Sequence, residues 1–368
     1  MRARSRLPFY PGQGDPGHKI GVLLLILHQI QSELAVFDSW TKTLAAKAGQ
    51  LGFDVREECP HGFSLWPHHY QRPKSGILSK KKIALSFLGI THGNEVAGLK
   101  SLNETLRLID QGMLPVRIPM AFFLGNVPAA RKNTRFLERD LNRSFMTPST
   151  SSAEERRAKE LETPLGETAY LVDFHQVTAR AAEPFFIFPY SRAGYTFARH
   201  IAPERPIVTH WDSHFSDEGR CTDEFVIDKG GVGISIELGQ NGFDPYQVAT
   251  GTLTAVKAIL VVEAYASVGA AQQLPPIDPV HPKHVYSWAA VMAYPDGKVA
   301  LDPGWYNFQA IEKGVRLGTV DGQVITAPAS GMILFPKYIK QSAEPSEVQR
   351  PTELMRILRL VGPNELPV

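Results

Sequence analysis

The sequence predicts an α/β fold followed by a smaller β-rich domain. Strand-like apolar runs and helix-like stretches alternate through the first two-thirds of the 368 residues, as they do in α/β domains. The helical stretch Pro245–Val268 is followed by a Pro-rich segment, residues 272–282, which is typical of a domain boundary. Beyond that segment, short apolar runs separated by Gly-containing turns indicate strands. We therefore predict one domain over residues 1–271 and a β-rich C-terminal domain over residues 272–368.

The N-terminal region predicts a strand, a helix and a second strand. Residues 20–27 form a short apolar run that ends in polar residues without a small-residue cleavage site, so we interpret it as a buried strand rather than a signal peptide. Residues 39–51 predict a helix that ends at Gly52, and residues 53–57 predict the second strand. Residues 59–79, rich in Pro, His and Gly, predict a loop.

Four further strands are each predicted to carry polar residues at or just past their ends. His92 follows the first, Asn126 the second and His175 the third, while Glu237 lies on the fourth. In open α/β sheets this edge is where ligands bind. The predicted strands are residues 83–88, 119–124, 170–174 and 233–238, with a helix at residues 97–109.

Composition argues against several classes of protein. The 39 basic and 37 acidic residues give a net charge of +2, which does not suit a nucleic-acid-binding protein. Cys59 and Cys221 are the only cysteines, so a disulfide scaffold is not expected and a cytoplasmic location is the default. No stretch approaches the roughly 20 apolar residues of a membrane span.

His92, Glu95 and His175 are candidate ligands of one zinc ion. Two residues separate His92 from Glu95, so both side chains can turn towards one point, with Gly93 permitting a sharp backbone. Two His and one Glu leave a fourth position open for water, as a catalytic zinc site requires. Asp173 is expected to orient a catalytic element without binding the metal itself. The alternative is that each histidine is an ordinary buried one, because short motifs of this kind also occur by chance.

Glu237, Arg135 and Arg143 are candidate catalytic or binding residues. A carboxylate in the apolar strand around Glu237 is costly unless it is paired or functional, although a surface Glu at a strand end is the alternative. The polar segment that contains Arg135 and Arg143 offers guanidinium groups suited to carboxylates or to a developing oxyanion. Its other interpretation is a charged surface loop.

Taken together, these motifs resemble those of the succinylglutamate desuccinylase and aspartoacylase family, within the zinc-carboxypeptidase-like hydrolases. The resemblance implies a mixed sheet flanked by helices, and one zinc ion per chain held by His92, Glu95 and His175. It also implies that Arg135 polarises the carbonyl, that Asn142 and Arg143 bind a carboxylate, and that Glu237 is the general base. The motifs are Gly89-Ile90-Thr91-His92-Gly93-Asn94-Glu95, Asn126-Val127-Pro128-Ala129-Ala130, Thr134-Arg135-Phe136, Asp140-Leu141-Asn142-Arg143, Asp173-Phe174-His175 and Ile236-Glu237-Leu238-Gly239.

Two positions depart from the family pattern. The aspartoacylase branch has a further Arg about ten residues before the catalytic Glu, for the second carboxylate of the substrate. Here residues 225–229 occupy that stretch, and Arg220 or Lys229 is a possible substitute. For the substrate-facing Tyr of the C-terminal domain, Tyr338 is the candidate. The substrate's identity therefore stays open.

The predicted reaction is hydrolysis of the amide bond of an N-acyl amino acid, a small-molecule substrate. A zinc carboxypeptidase acting on peptides is a second possibility, and a non-catalytic binding protein with a vestigial zinc site is a third. We expect no nucleic-acid or membrane partner, and family members often form oligomers, so a homo-oligomer is possible.

Overall fold

The chain folds into a large mixed sheet flanked by helices, with a smaller β-rich C-terminal part. The computed structural model describes residues 16–211, 213–268, 284–338, 351–362 and 364–367. The helices are α1 (Pro16–Leu51), α2 (Ile77–Lys80), α3 (Ala97–Asp110), α4 (Val127–Ala130), α5 (Ala153–Gly166), α6 (Arg192–Ile201), α7 (Thr222–Asp228) and α8 (Pro245–Val268), with a short 3-10 helix at Leu141–Arg143. The strands are β1 (Phe53–Cys59), β2 (Gly62–Pro67), β3 (Ile83–Gly89), β4 (Met120–Leu124), β5 (Thr168–Val177), β6 (Phe185–Pro189), β7 (Ile207–His210), β8 (Val232–Gln240), β9 (Val285–Ala293), β10 (Val299–Leu301), β11 (Ala310–Ile311), β12 (Arg316–Val320), β13 (Gln323–Thr326), β14 (Gly331–Leu334) and β15 (Glu353–Leu360).

The main sheet has the strand order β1-β2-β4-β3-β5-β8-β6-β7-β9-β15-β14-β11. Strands β4, β3, β5 and β8 run parallel to one another, whereas β6 is antiparallel to β8. The predicted mixed α/β sheet is therefore confirmed. The three central strands β3, β5 and β8 are buried over most of their length, and α3, α5, α7 and α8 pack against them.

The C-terminal part is β-rich, as predicted. Its strand β9 pairs in parallel with β7 and so continues the main sheet, while β10, β12 and β13 form a separate small sheet. The predicted boundary segment, residues 272–282, lies outside the described residues. The division into two domains at residue 272 therefore stays a prediction.

The prediction of a buried strand at residues 20–27 is wrong. These residues lie within α1, and Leu24 and Leu25 are 61% and 69% exposed. A short apolar run does not by itself distinguish a strand from a helix. The later part of α1 packs against the rest of the protein. Phe37 is buried there, and Trp40 Nε1 donates to Asn103 Oδ1 on α3 at 3.1 Å.

The predicted loop over residues 59–79 is also wrong in part, because it contains β2 and the short α2. Strand β2 pairs antiparallel with both β1 and β4, and its Phe63 and Leu65 are fully buried. The strand has only six residues, and the Gly, His and Pro residues at its two ends are typical of loops, so the sequence predicted a loop.

Helix α8 contradicts the expectation that no stretch reaches the length of a membrane span. Among the described helices, Pro245–Ser267 is long and apolar enough to cross a membrane by length and composition, and 39% of its most apolar window is buried in the protein. Its Ala258, Ile259 and Val262 lie in the core. A core helix passes the same test of length and composition.

Candidate active site

The predicted site residues meet at the carboxyl ends of three adjacent parallel strands. His92 and Glu95 lie in the turn between β3 and α3, and His175 lies near the end of β5. Glu237 on β8 is the direct neighbour of His175 across the sheet. Gly93 is required here for close packing, because a Cβ at this position would lie 2.3 Å from the backbone of Ala129.

His92, Glu95 and His175 form one buried cluster. Glu95 lies between the two rings, with Oε1 2.9 Å from His92 Nδ1 and Oε2 2.9 Å from His175 Nδ1. One ligand atom from each residue lies within 4.8 Å of the others. The prediction that these three side chains converge is therefore confirmed as geometry.

The opposite ring nitrogens are held by two aspartates. Asp140 Oδ1 lies 3.0 Å from His92 Nε2, and Asp173 Oδ2 lies 2.8 Å from His175 Nε2. Carboxylates at this position fix the ring orientation of metal-ligating histidines and increase their basicity. Asp173 thus has the orienting contact that the sequence predicted, whereas the role of Asp140 was not predicted.

The cluster fits a divalent metal such as Zn²⁺. The Nδ1 atom of His92 is buried and forms no correctly directed hydrogen bond with any residue that the structure describes, although Glu95 Oε1 is close. This is expected where both atoms direct lone pairs at one ion. Burial alone would raise the pKa of Glu95, but the charge of His92 and the hydrogen bond with His175 hold that pKa well below its usual range, so the ligand is ionised.

Glu237 faces this cluster as a buried carboxyl group. It is 8% exposed, and its Oε2 has no hydrogen-bond partner among the described residues. Burial raises the pKa of Glu237 to about 7, with a further increase from the charge of Glu95. A carboxylate that titrates near neutrality can accept a proton in one step and donate it in the next.

We expect Glu237→Gln to stabilise the metal-free protein at alkaline pH. Above about pH 7 Glu237 is ionised in both states, and the native state bears the cost of burying the charge, whereas the unfolded state hydrates it. Below the ordinary pKa of 4.5 the carboxyl group is neutral in both states, so this cost disappears. The gain in free energy of unfolding should be about 3 kcal/mol near pH 8 and should shrink towards zero as the pH falls to about 4.5. Urea unfolding in a chelator measures it, and an equal gain at both pH values would refute the burial argument.

Arg135 lies at the open side of the cluster. Its Nη1 donates to Glu95 Oε1 and its Nη2 to Asp140 Oδ2, both at 3.1 Å, and about a third of the side chain is exposed. The segment that carries Arg135 is held by buried Glu154, which accepts the backbone N–H groups of residues 137–139. The charged segment is therefore not a solvated surface loop.

Asn142 and Arg143 follow on the same segment. Asn142 Oδ1 accepts the backbone N–H of Thr222 at 2.9 Å. Arg143 packs its guanidinium group 4.8 Å from the centre of the Phe215 ring and lies 3.1 Å from Cys221 Sγ. Both residues are thus fixed beside Asp140, and their binding role stays a prediction.

Three further candidates are Arg220, Lys229 and Tyr338. Arg220 pairs with Asp228, and Lys229 follows the last residue of α7, before the first residue of β8. The hydroxyl group of Tyr338 accepts the backbone N–H of Trp305 at 2.7 Å within the C-terminal part. Its contact with substrate stays a prediction.

Comparison with known proteins finds similarity to the same family that the motifs indicated. Residues 81–261 match the model of the succinylglutamate desuccinylase/aspartoacylase catalytic domain. A succinylglutamate desuccinylase of Yersinia pestis is 30% identical over 185 residues, covering 43% of this chain and 54% of that protein. The chain thus spans about half the length of the curated relatives it matches.

Solved structures share the fold at lower identity. A succinylglutamate desuccinylase from Vibrio parahaemolyticus superposes with a TM-score of 0.62 at 16% identity, covering 83% of this chain and 88% of that one. Murine aminoacylase 3 gives a TM-score of 0.54 at 18% identity, covering 76% and 96%. The predicted resemblance and fold are therefore confirmed.

Proposed function

We propose, from the premise that residues 81–261 form a catalytic domain of the succinylglutamate desuccinylase/aspartoacylase family, that this protein is a zinc-dependent deacylase of N-acyl amino acids. The observation that carries the proposal is the convergence of His92, Glu95 and His175 on one point, beside Glu237, whose Oε2 has no hydrogen-bond partner in the described part of the chain. The names of the matched relatives, desuccinylase and aminoacylase, support hydrolysis of an amide bond.

The side chains have separable tasks in this reaction. A bound zinc ion supplies Lewis acidity, which polarises a carbonyl group and lowers the pKa of water. Glu237 accepts the proton of the attacking water and returns it to the nitrogen of the leaving amine. Arg135 uses only two of its five N–H donors on Glu95 and Asp140, so others remain for the oxyanion that forms on the scissile carbonyl.

Asn142 and Arg143 hold the carboxylate of the amino-acid part. Asn142 and Arg143, the carboxylate clamp, lie on the short 3-10 helix that Asp140 caps. Asp140 also orients His92, so the clamp is connected directly to the ligand cluster. Fixing the carboxylate there positions the scissile carbonyl at the cluster, which lowers the entropic cost of the reaction.

A small substrate is favoured over a peptide by the C-terminal part. Asn307 is fully buried and donates from Nδ2 to the backbone oxygen of Ala179 at 2.9 Å, and Asn307 N donates to Arg180 O at 2.8 Å. These contacts bring the C-terminal part beside the end of β5, and this supports a short substrate over a long peptide.

A panel of acylated amino acids and short peptides, assayed for amine release with zinc, tests the proposal. Release from N-acyl amino acids such as N-succinylglutamate or N-acetylaspartate is expected. Release from peptides alone would identify a carboxypeptidase. Stoichiometric binding without any amine release would identify a non-catalytic binding protein.

We expect Arg143→Ala to raise KM by about 10- to 100-fold with little change in kcat, because a lost hydrogen bond to a charged group costs about 1.5–3 kcal/mol. Steady-state kinetics on the best panel substrate measures the effect. Arg131→Ala, which removes an exposed arginine from the preceding helix end, is the control. An unchanged KM would show that residues other than Arg143 bind the substrate carboxylate.

A further inference from the structure

Two buried glutamines join the ends of the strands that carry His175 and Glu237. Gln176 follows His175 on β5 and is 2% exposed, whereas Gln247 lies in the first turn of α8 and is 8% exposed. The side-chain Nε2 of Gln176 donates to Gln247 Oε1. A buried amide is costly unless it forms its hydrogen bonds, and a network that does so fixes the groups that it joins.

Gln176 is attached to the metal-ligand side of the site through both its backbone and its side chain. Its backbone N–H donates to Glu95 Oε2 at 3.0 Å. Its side-chain Oε1 accepts the N–H of Ala97, the first residue of α3, at 3.0 Å. The turn that presents Glu95 is therefore connected to β5 at two points.

The same side chain also contacts the chain beyond Glu237. The Nε2 atom of Gln176 lies 3.1 Å from Gln240 O and 2.9 Å from Gly242 O. Gln247 Nε2 donates to the same oxygen of Gln240 at 2.9 Å. Both glutamines therefore hold the segment that follows Glu237.

This segment contains a bulge. Between Glu237 and Gln240 the register with β5 shifts, so β8 has one residue more than β5 over this interval. A bulge bends the strand and changes the direction of the side chains beside it. Gly239, with φ of 138°, leaves space for Gln247, because a Cβ there would lie 2.8 Å from Gln247 Nε2. The direction of Glu237 thus depends on a bulge that Gln247 packs against and bonds.

The two glutamines have separable tasks, because Gln247 contacts the segment after Glu237 whereas Gln176 also contacts the turn of Glu95. A general base must lie within about 2.6–3.2 Å of the atom whose proton it takes, and a displacement of about 1 Å can lower a rate about 100-fold. We infer that Gln247 is a positioning residue, which holds the bulge after Glu237 so that this carboxylate stays directed at the ligand cluster. The inference rests on the proposed deacylase function.

Replacing Gln247 with Met, which has a similar length and no amide, tests the inference. On the best panel substrate, kcat should fall by about 10- to 100-fold while KM stays within about threefold of wild type, because the carboxylate clamp lies on another segment. The Kd for zinc, measured by competition with a chelator, should also stay within about threefold. Gln247→Glu keeps the shape but cannot donate to Gln240 O, so it should show the same pattern.

A double variant separates positioning from general damage to the fold. If Gln247 acts through Glu237, Gln247→Met should cause no further loss of kcat in the Glu237→Gln background. General damage would instead lower the residual kcat of that background by the same factor as in the wild-type protein. Thr254→Val, which removes a buried hydroxyl hydrogen bond within α8, is the control and should leave kcat unchanged.

Three results would each overturn the inference while the deacylase function stands. They are a kcat within about twofold of wild type in both Gln247 variants, additive losses in the double variant, and a loss of zinc affinity as large as the loss of kcat. No amine release by the wild-type protein from any panel member would remove the proposed function and this inference with it.

Discussion

Replacing Glu237 with Gln is expected to lower kcat by about 10²- to 10⁴-fold, the range that a general base contributes. Gln has nearly the same shape, but its amide cannot take a proton from water. The carboxylate it replaces is buried beside the cluster and has no protein partner at Oε2 among the described residues, so the loss is chemical rather than structural. Substrate affinity should change little, since the carboxylate clamp lies on another segment.

Metal content separates this result from loss of the ion. Glu237 is not one of the three clustered ligands, so the variant should retain the metal that the wild-type protein holds, as measured by atomic absorption. Glu263→Gln is the matched control, because burial also raises the pKa of Glu263, on α8, where it pairs with Arg117. Substantial turnover by Glu237→Gln with metal bound would remove the base assignment.

The site residues were easier to predict from the sequence than the N-terminal elements, residues 20–27 and 59–79. His92, Glu95, His175 and Glu237 could be found because each lies near or just past the end of a strand, where parallel strands meet at one edge, and because their motifs together resemble those of one family. Asp140 was missed as the partner of His92 because the contact spans 48 residues and leaves no local pattern. Its position beside two arginines was the available signal.

The arrangement of the C-terminal part beside the site could not be predicted either. Tyr338 was predicted to contact the substrate, which stays a prediction, and in the structure its hydroxyl group accepts the backbone N–H of Trp305. The turn before Tyr338 depends on the left-handed conformation of Phe335 and on the hydrogen bond from Phe335 N to Asn307 Oδ1, and neither is visible in a sequence pattern. The N-terminal helix shows the same limit, since only packing on α3 decides between a helix and a strand there.

His175→Ala should abolish metal binding and turnover together. Removing one imidazole leaves His92 and Glu95, which is too few ligands for a tetrahedral site with an open position. It also leaves Asp173, a fully buried carboxylate, without its imidazole partner. Metal content should fall from about one ion per chain towards zero, because a catalytic zinc site needs three protein ligands.

Thermal unfolding distinguishes lost binding from lost folding. A metal at about 100 times its Kd stabilises the native state by about 2.7 kcal/mol, so a chelator should lower the Tm of the wild-type protein. The Tm of His175→Ala should not respond to the chelator. His68→Ala is the control, because His68 is exposed and paired with Asp54, and it should behave as wild type. If His175→Ala kept both its metal and its response to chelator, the ion would have to be bound elsewhere, and the geometry of the whole site would need another explanation.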